Sequence, residues 1–145
     1  MVNEVRAVIE ELGGPQVFGL SVRTENDLRA AIREGFPQAA VEQTMRSADL
    51  NLKELAKALD LSPRSLQRRR SEGRLAQHES DRLYRLARIL ALAKHYIGAD
   101  DTATRWLRRP NRALGGAAPL ELLDTELGAR SVENILGRIA YGSVS

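Results

Sequence analysis

Between Ser62 and Arg74 the chain gathers side chains suited to one task, recognition of a polyanion. Arg64, Arg68, Arg69, Arg70 and Arg74 supply planar guanidinium groups, Gln67 a carboxamide and Ser65 a hydroxyl. A guanidinium matches the paired acceptors of guanine or the oxygens of a phosphate, a carboxamide matches the donor and acceptor of adenine, and a hydroxyl donates to phosphate. On a helical period Leu66 turns inward and Arg64, Ser65, Gln67, Arg68 and Arg69 turn mostly outward. Arg64 and Arg68 are therefore candidates for guanine or phosphate, Gln67 for adenine and Ser65 for phosphate. Arg69, Arg70 and Arg74 either contact phosphates or solvate the end of the helix. Lys53 and Lys57, on the preceding segment, could touch the backbone beside them.

Other reactive chemistry is sparse. The chain has no cysteine, which excludes disulfides and thiolate zinc sites, and its two histidines, His78 and His95, lie far apart with no carboxylate pattern of a metal site. The pairs Gly13-Gly14 and Gly115-Gly116 lack the Gly-Lys-Ser/Thr that completes a phosphate loop, and Asp100-Asp101 suits a helix start better than a catalytic pair. No Ser-His-Asp arrangement is suggested. The expectation is a protein that is not an enzyme and carries no metal or cofactor.

The elements that must position the basic side chains follow from apolar spacing. Leu52, Leu55, Ala56 and Leu59 recur at intervals of three and four, Asp60-Leu61 breaks the run, and Ser62 then caps a second short helix opened by Pro63, which needs no amide donor there. Ala56 is small where two helices must cross steeply. The pattern is that of a helix-turn-helix whose second helix faces a groove. Its turn has Asp60 where glycine is common, and aspartate tolerates a positive φ better than most residues.

Around this pair the remaining chain also reads as helical. Asn3 to Leu12 forms a short helix closed by Gly13-Gly14, Val17 to Val22 could be extended, and Thr24 with Asp27 caps a helix that stops at Gly35. Pro37 opens the next helix. Ser80 is expected to cap a long helix from Asp81 to Ile97, with Leu83, Leu86, Ala87, Leu90 and Ala93 in one stripe, either core or a dimer surface. Asp100-Asp101 starts a helix bearing Trp106 and Leu107, Pro119 opens a short turn, and a last helix from about Thr125 carries Val132, Ile135, Leu136 and Ile139 until Gly142.

Composition agrees with an all-α protein: 43% of residues are hydrophobic and only 4% aromatic, with Leu, Ala, Arg and Glu prominent. The net charge is only +3, but residues 46–114 hold sixteen basic and eight acidic side chains, so the positive excess is confined to the middle. No apolar run approaches the roughly 18 residues of a membrane span, and the first six residues lack a basic start followed by an apolar core. A cytoplasmic location is expected. Three regions are expected: an N-terminal helical segment over 1–45, a helix-turn-helix and dimerisation region over 46–98, and a small helical domain over 99–145.

From Leu55 onward the sequence resembles the Xre-type antitoxins, through Ser62-Pro63-Arg64-Ser65-Leu66-Gln67-Arg68-Arg69-Arg70, Gly73-Arg74-Leu75 and Glu79 to Ala87. A second block, from Trp106-Leu107 through Pro110-Asn111, Ala113-Leu114-Gly115-Gly116, Pro119 to Glu126 and Gly128-Ala129 to Tyr141-Gly142, resembles the toxin-binding domain shared by the Xre, MbcA and ParS antitoxins. The resemblance covers roughly the last hundred residues. It implies a partner toxin with a RES domain that depletes nicotinamide adenine dinucleotide, occlusion of that toxin's active site by the C-terminal segment, and repression of the operon by the complex. The matching positions are Arg138, Ile139, Tyr141 and Gly142, framed by Leu123, Thr125, Glu126 and Gly128, while the first forty or so residues match loosely.

A tyrosine, a glycine and the short tail Ser143-Val144-Ser145 suit entry into a cleft, and Arg138 offers a planar cation to a carboxylate. Leu123, Val132, Ile135 and Leu136 read as plain core. Reading two half-sites of operator DNA would need a homodimer. The alternative is a stand-alone dimeric repressor whose C-terminal domain only dimerises.

Overall fold

The computed structural model describes residues 4–99 and 101–142. Among them the regular structure is helical, apart from a single isolated bridge between Pro37 and Arg74. The first helix, α1 (Glu4–Glu11), buries Val8 and Ile9, and Leu12 is buried just beyond its end.

A one-turn helix, α2 (Pro15–Phe18), occupies part of the stretch from Val17 to Val22, where the sequence allows an extended path. The cause is local. Pro15 supplies a preset φ in the first turn, the Gly19 amide closes it on the Pro15 carbonyl at 2.8 Å, and Phe18 docks edge-on to the buried Phe36 ring, centroids 5.6 Å apart.

Helix α3 (Glu25–Glu34) starts with the expected capping box. The Thr24 hydroxyl accepts from the Asp27 amide, and the amides of Arg23 and Thr24 donate to the Asp27 carboxylate, holding it below its ordinary pKa. Gly35 ends the helix at φ +94, and a Cβ there would lie 2.1 Å from the Leu75 carbonyl oxygen. Only glycine permits that approach, in which Leu75 donates to the Phe36 carbonyl and Gln38 to that of Gly73.

Helix α4 (Gln38–Ala48) leads through a left-handed Asp49 to the pair α5 (Leu52–Ala58) and α6 (Pro63–Glu72), which pack on each other. Asp60 adopts φ +56, as the turn requires. Leu55, Ala56, Leu59 and Leu66 form its buried centre.

The long helix α7 (Gln77–Tyr96) begins four residues earlier than the sequence suggests. Ser80 is not its cap. Glu79 plays that part, accepting from the Ala76 amide at 2.8 Å, while the buried Ser80 hydroxyl donates to the Ala76 carbonyl and accepts from the Phe36 amide at 2.7 Å. Alanine at the cap position, lacking a side-chain oxygen, hides this start from pattern reading.

Helix α7 is the axis of the protein, with α1, α3, α4, α5, α8 (Thr102–Arg108) and α9 (Glu126–Ala140) packed against it. Its stripe of Leu83, Leu86, Ala87, Leu90 and Ala93 is spent on this core. Two short 3-10 turns, Arg112–Leu114 and Pro119–Leu122, connect α8 to α9. One hydrophobic cluster runs from Val8 in α1 to Leu136 in α9.

Candidate DNA-reading and partner-binding surfaces

Helix α6 is fixed from within by a minority of its side chains. Leu66 is fully buried, and the Ser62 hydroxyl accepts from the Ser65 amide at 3.0 Å, satisfying one of the open donors of the first turn. Arg69 binds the carboxylate of Glu79, which is 1% exposed, through Nε at 2.9 Å, and reaches Glu72 through Nη1. Arg70 pairs with Glu42 of α4 at 2.6 Å and donates to Gln67, while Arg74 donates to the Gly35 carbonyl. Three of the five arginines in this stretch thus hold α6 and its exit against α3, α4 and α7.

The other side of α6 is open. Arg64, Gln67 and Arg68 are exposed and Ser65 is half-buried. Among the described residues Arg64, Arg68, Lys53 and Lys57 make no ion pair or hydrogen bond, so their charge is directed to solvent. Lys53 and Lys57 line a groove with Asp60, Ser62, Pro63 and Asp124, beside the turn between α5 and α6. The structure therefore divides the basic segment into buried-side ties, Arg69, Arg70 and Arg74, and an outward array.

The C-terminal end has its own anchors on α7. Arg85, almost fully buried, donates to the Leu123 carbonyl through Nε at 3.2 Å and Nη2 at 2.9 Å, and its Nη1 lies 3.7 Å from Glu126. Arg88 pairs with Glu133 and lies 5.8 Å above the Tyr84 ring. Arg108 of α8 pairs with Glu54 of α5, Nη2 to Oε1 being 3.1 Å, and reaches the Asp49 carbonyl. These ties escaped sequence reading because arginines on a basic segment look alike until the partner carboxylates are placed.

On α9 the inner face buries Val132, Ile135 and Leu136, which with the buried Leu123 are the core expected from the sequence, and Ala129 joins them. Thr125 caps it by accepting from the Gly128 amide. Gly128 has no room for a side chain, since a Cβ would come 1.9 Å from the Leu122 carbonyl oxygen. Arg138 is exposed, Ile139 half-buried, and Tyr141 and Gly142 end the helix in solvent, with Tyr141 88% exposed. Arg138 and Tyr141 share a shallow surface with Glu133, Asn134 and Gly137. Ser143, Val144 and Ser145 lie outside the described residues.

No group of His, Cys, Asp or Glu that could hold a metal ion occurs among the described residues, and no helix among them is long and apolar enough to cross a membrane. A capped second helix with a free basic face, joined through one long helix to a small helical C-terminal unit, is the architecture of a helix-turn-helix protein. Residues 27–88 match the antitoxin Xre-like helix-turn-helix domain, and residues 92–142 match the antitoxin Xre/MbcA/ParS C-terminal toxin-binding domain. The chain is 35% identical over 120 residues to Antitoxin Xre of Photorhabdus laumondii subsp. laumondii, covering 81% of each chain. It is 32% identical over 145 residues to Antitoxin Xre of Yersinia enterocolitica, covering 99% of this chain and 94% of that one. A chain in the crystal structure of the M. tuberculosis MbcT-MbcA toxin-antitoxin complex superposes with a TM-score of 0.57 at 26% identity, over 74% of this chain and 96% of that one. The protein belongs to the Xre antitoxin family: it is the antitoxin of a toxin-antitoxin system.

Proposed function

We propose that this antitoxin neutralises a RES-domain toxin that depletes nicotinamide adenine dinucleotide, covering the toxin's active site with the segment Arg138 to Ser145, and that it represses its own operon from the cytoplasm. The observation that carries the reading is the separation of two outward, internally unpartnered surfaces: the Arg64 and Arg68 face of α6, and the Arg138 and Tyr141 end of α9. Each is held on a rigid element, so neither has to be ordered at the moment of binding.

In the DNA-bound state Arg64, Gln67 and Arg68 enter the major groove, Ser65 and Lys53 contact the flanking backbone, and Arg69 and Arg74 reach phosphate with the guanidinium edges left by their internal bonds. A homodimer places two such helices on a two-fold operator. At the other end Arg138 faces a carboxylate of the toxin, Ile139 and Tyr141 fill apolar space beside it, and Gly142 lets the tail Ser143-Val144-Ser145 turn into the cleft.

Co-expression with the adjacent RES-domain gene tests the reading. The full chain restores growth and cellular nicotinamide adenine dinucleotide, and a chain lacking residues 115–145 restores neither. Full protection by the shortened chain, with a folded helical spectrum, overturns it.

A further inference from the structure

Helix α9 carries a second exposed stripe besides the end already described. Leu127, Asn134, Arg138 and Tyr141 follow one another along its solvent side at helical spacing, with Arg130 beside them. Leu127 is 76% exposed and Tyr141 88%, and few large apolar side chains among the described residues stand so far into solvent. They occupy opposite ends of the stripe, fourteen residues and so about 21 Å apart.

The unpaired charge between them is positive, and Glu133 at its border is taken up by Arg88. Arg130 and Arg138 are exposed and make no ion pair among the described residues, whereas the nearby acids Glu126 and Glu133 turn toward Arg85 and Arg88 of α7. The solvent side of α9 is therefore an apolar anchor, a cationic and amide middle, and an aromatic anchor. At 76% exposure Leu127 adds little burial to the monomer.

We infer that this whole stripe, and not only its C-terminal end, is the docking ridge for the toxin, and that the toxin presents two apolar sockets about 21 Å apart with carboxylates between them. The inference rests on the reading that the C-terminal end contacts a toxin. It adds Leu127, Arg130 and Asn134 to the interface and states the chemistry of the complementary surface. Charge complementarity favours an acidic partner, and the stripe is continuous with Arg138 and Tyr141 within the stretch that matches the toxin-binding domain. A second copy of the chain would set arginine against arginine if it used this stripe symmetrically.

The test uses the full chain and the adjacent RES-domain protein as probe, by titration calorimetry, with light scattering on the free antitoxin. Leu127→Asp is expected to weaken binding about 30-fold or more and Arg130→Glu about 10-fold, with melting temperature and molar mass unchanged. Leu127→Met is expected to bind like the parent. Parent-like affinity of Leu127→Asp overturns the ridge, and so does a loss of the free dimer, which would assign the stripe to self-association. Loss of binding in Tyr141→Ala with none in Leu127→Asp leaves the C-terminal reading standing and removes only the ridge. No effect of either removes both.

Discussion

The guanidinium of Arg69 and the buried carboxylate of Glu79 lock α6 to the first turn of α7, with Nε 2.9 Å from Oε1. The same Glu79 oxygen accepts from the Ala76 amide, so one carboxylate closes the N-terminus of α7 and holds α6 in place. A charge so deeply buried is tolerable only while its partners remain.

Removing the partner should therefore be expensive. Arg69→Ala is expected to lower unfolding free energy by about 3 kcal/mol, because Glu79 is left buried without its cation. Urea denaturation checks this, and the double variant Arg69→Ala with Glu79→Leu should recover much of the loss. Any part of a drop in DNA affinity for Arg69→Ala that the double variant restores reports stability, and the part it does not restore reports the phosphate contact.

On the free face of α6 the expectation is reversed. Arg64→Ala with Arg68→Ala should leave the melting temperature within a degree or so, since neither side chain is tied down, and weaken operator binding strongly. The slope of log affinity against log salt should fall by about 2 if both arginines neutralise phosphate, and less if one reads guanine. Gel-shift titrations over a range of salt read the slope directly.

Gly128 offers a steric test of the C-terminal unit. Gly128→Ala drives a methyl into the Leu122 carbonyl, so α9 must shift off the 3-10 turn before it, at a cost of about 1–3 kcal/mol or more. Hydrogen exchange in α9 should accelerate, and toxin neutralisation should weaken, while Gly137→Ala, whose Cβ meets nothing within 4 Å in the chain, should leave stability unchanged or slightly raised.

Acid sensitivity is expected at the start of α5. Burial pushes the Glu54 carboxyl up, but the Asn51 amide and the Arg108 guanidinium outweigh it and hold the group below its ordinary 4.5. A folded value below the unfolded one means the contribution is complete above pH 4.5 and is lost as pH falls through the folded value. Thermal melts should therefore show a steeper decline on the acid side of 4.5 for the parent than for Glu54→Gln.

Much of the helical order is legible in the chain because it is written in local chemistry. Thr24 with Asp27, Ser62 with Pro63, and Asp60 in its left-handed turn each act within a few residues, and each appears as the spacing predicts. The errors are non-local. Ser80 looked like a cap, yet it serves the Phe36 amide forty-four residues away, and Phe18 left an extended path for a helical turn because Phe36 offered a ring to pack on.

The same division holds for the surfaces. Helical period separated Leu66 from its outward neighbours, but it gave Arg64, Arg68 and Arg69 the same standing. Glu42, Glu79 and the Gly35 carbonyl, brought in from other elements, decide which guanidinium groups are occupied. Leu127 went unremarked for a related reason: an exposed leucine beside a buried stripe differs from a core leucine by position on the helix, not by type.

The first helix has one more consequence. Glu11 of α1, Ser47 of α4 and Lys94 of α7 meet in a polar joint, with Lys94 Nζ 3.0 Å from the carboxylate and 2.7 Å from the hydroxyl, above the buried Val8, Ile9 and Leu12. All of α1 lies outside the two stretches that match family domains, yet α7 is clothed by it. The two stretches that match family domains and the unit that folds therefore have different borders. A gene swap that joined a foreign leader at residue 27 would carry over the whole helix-turn-helix while stripping α7 of its cover.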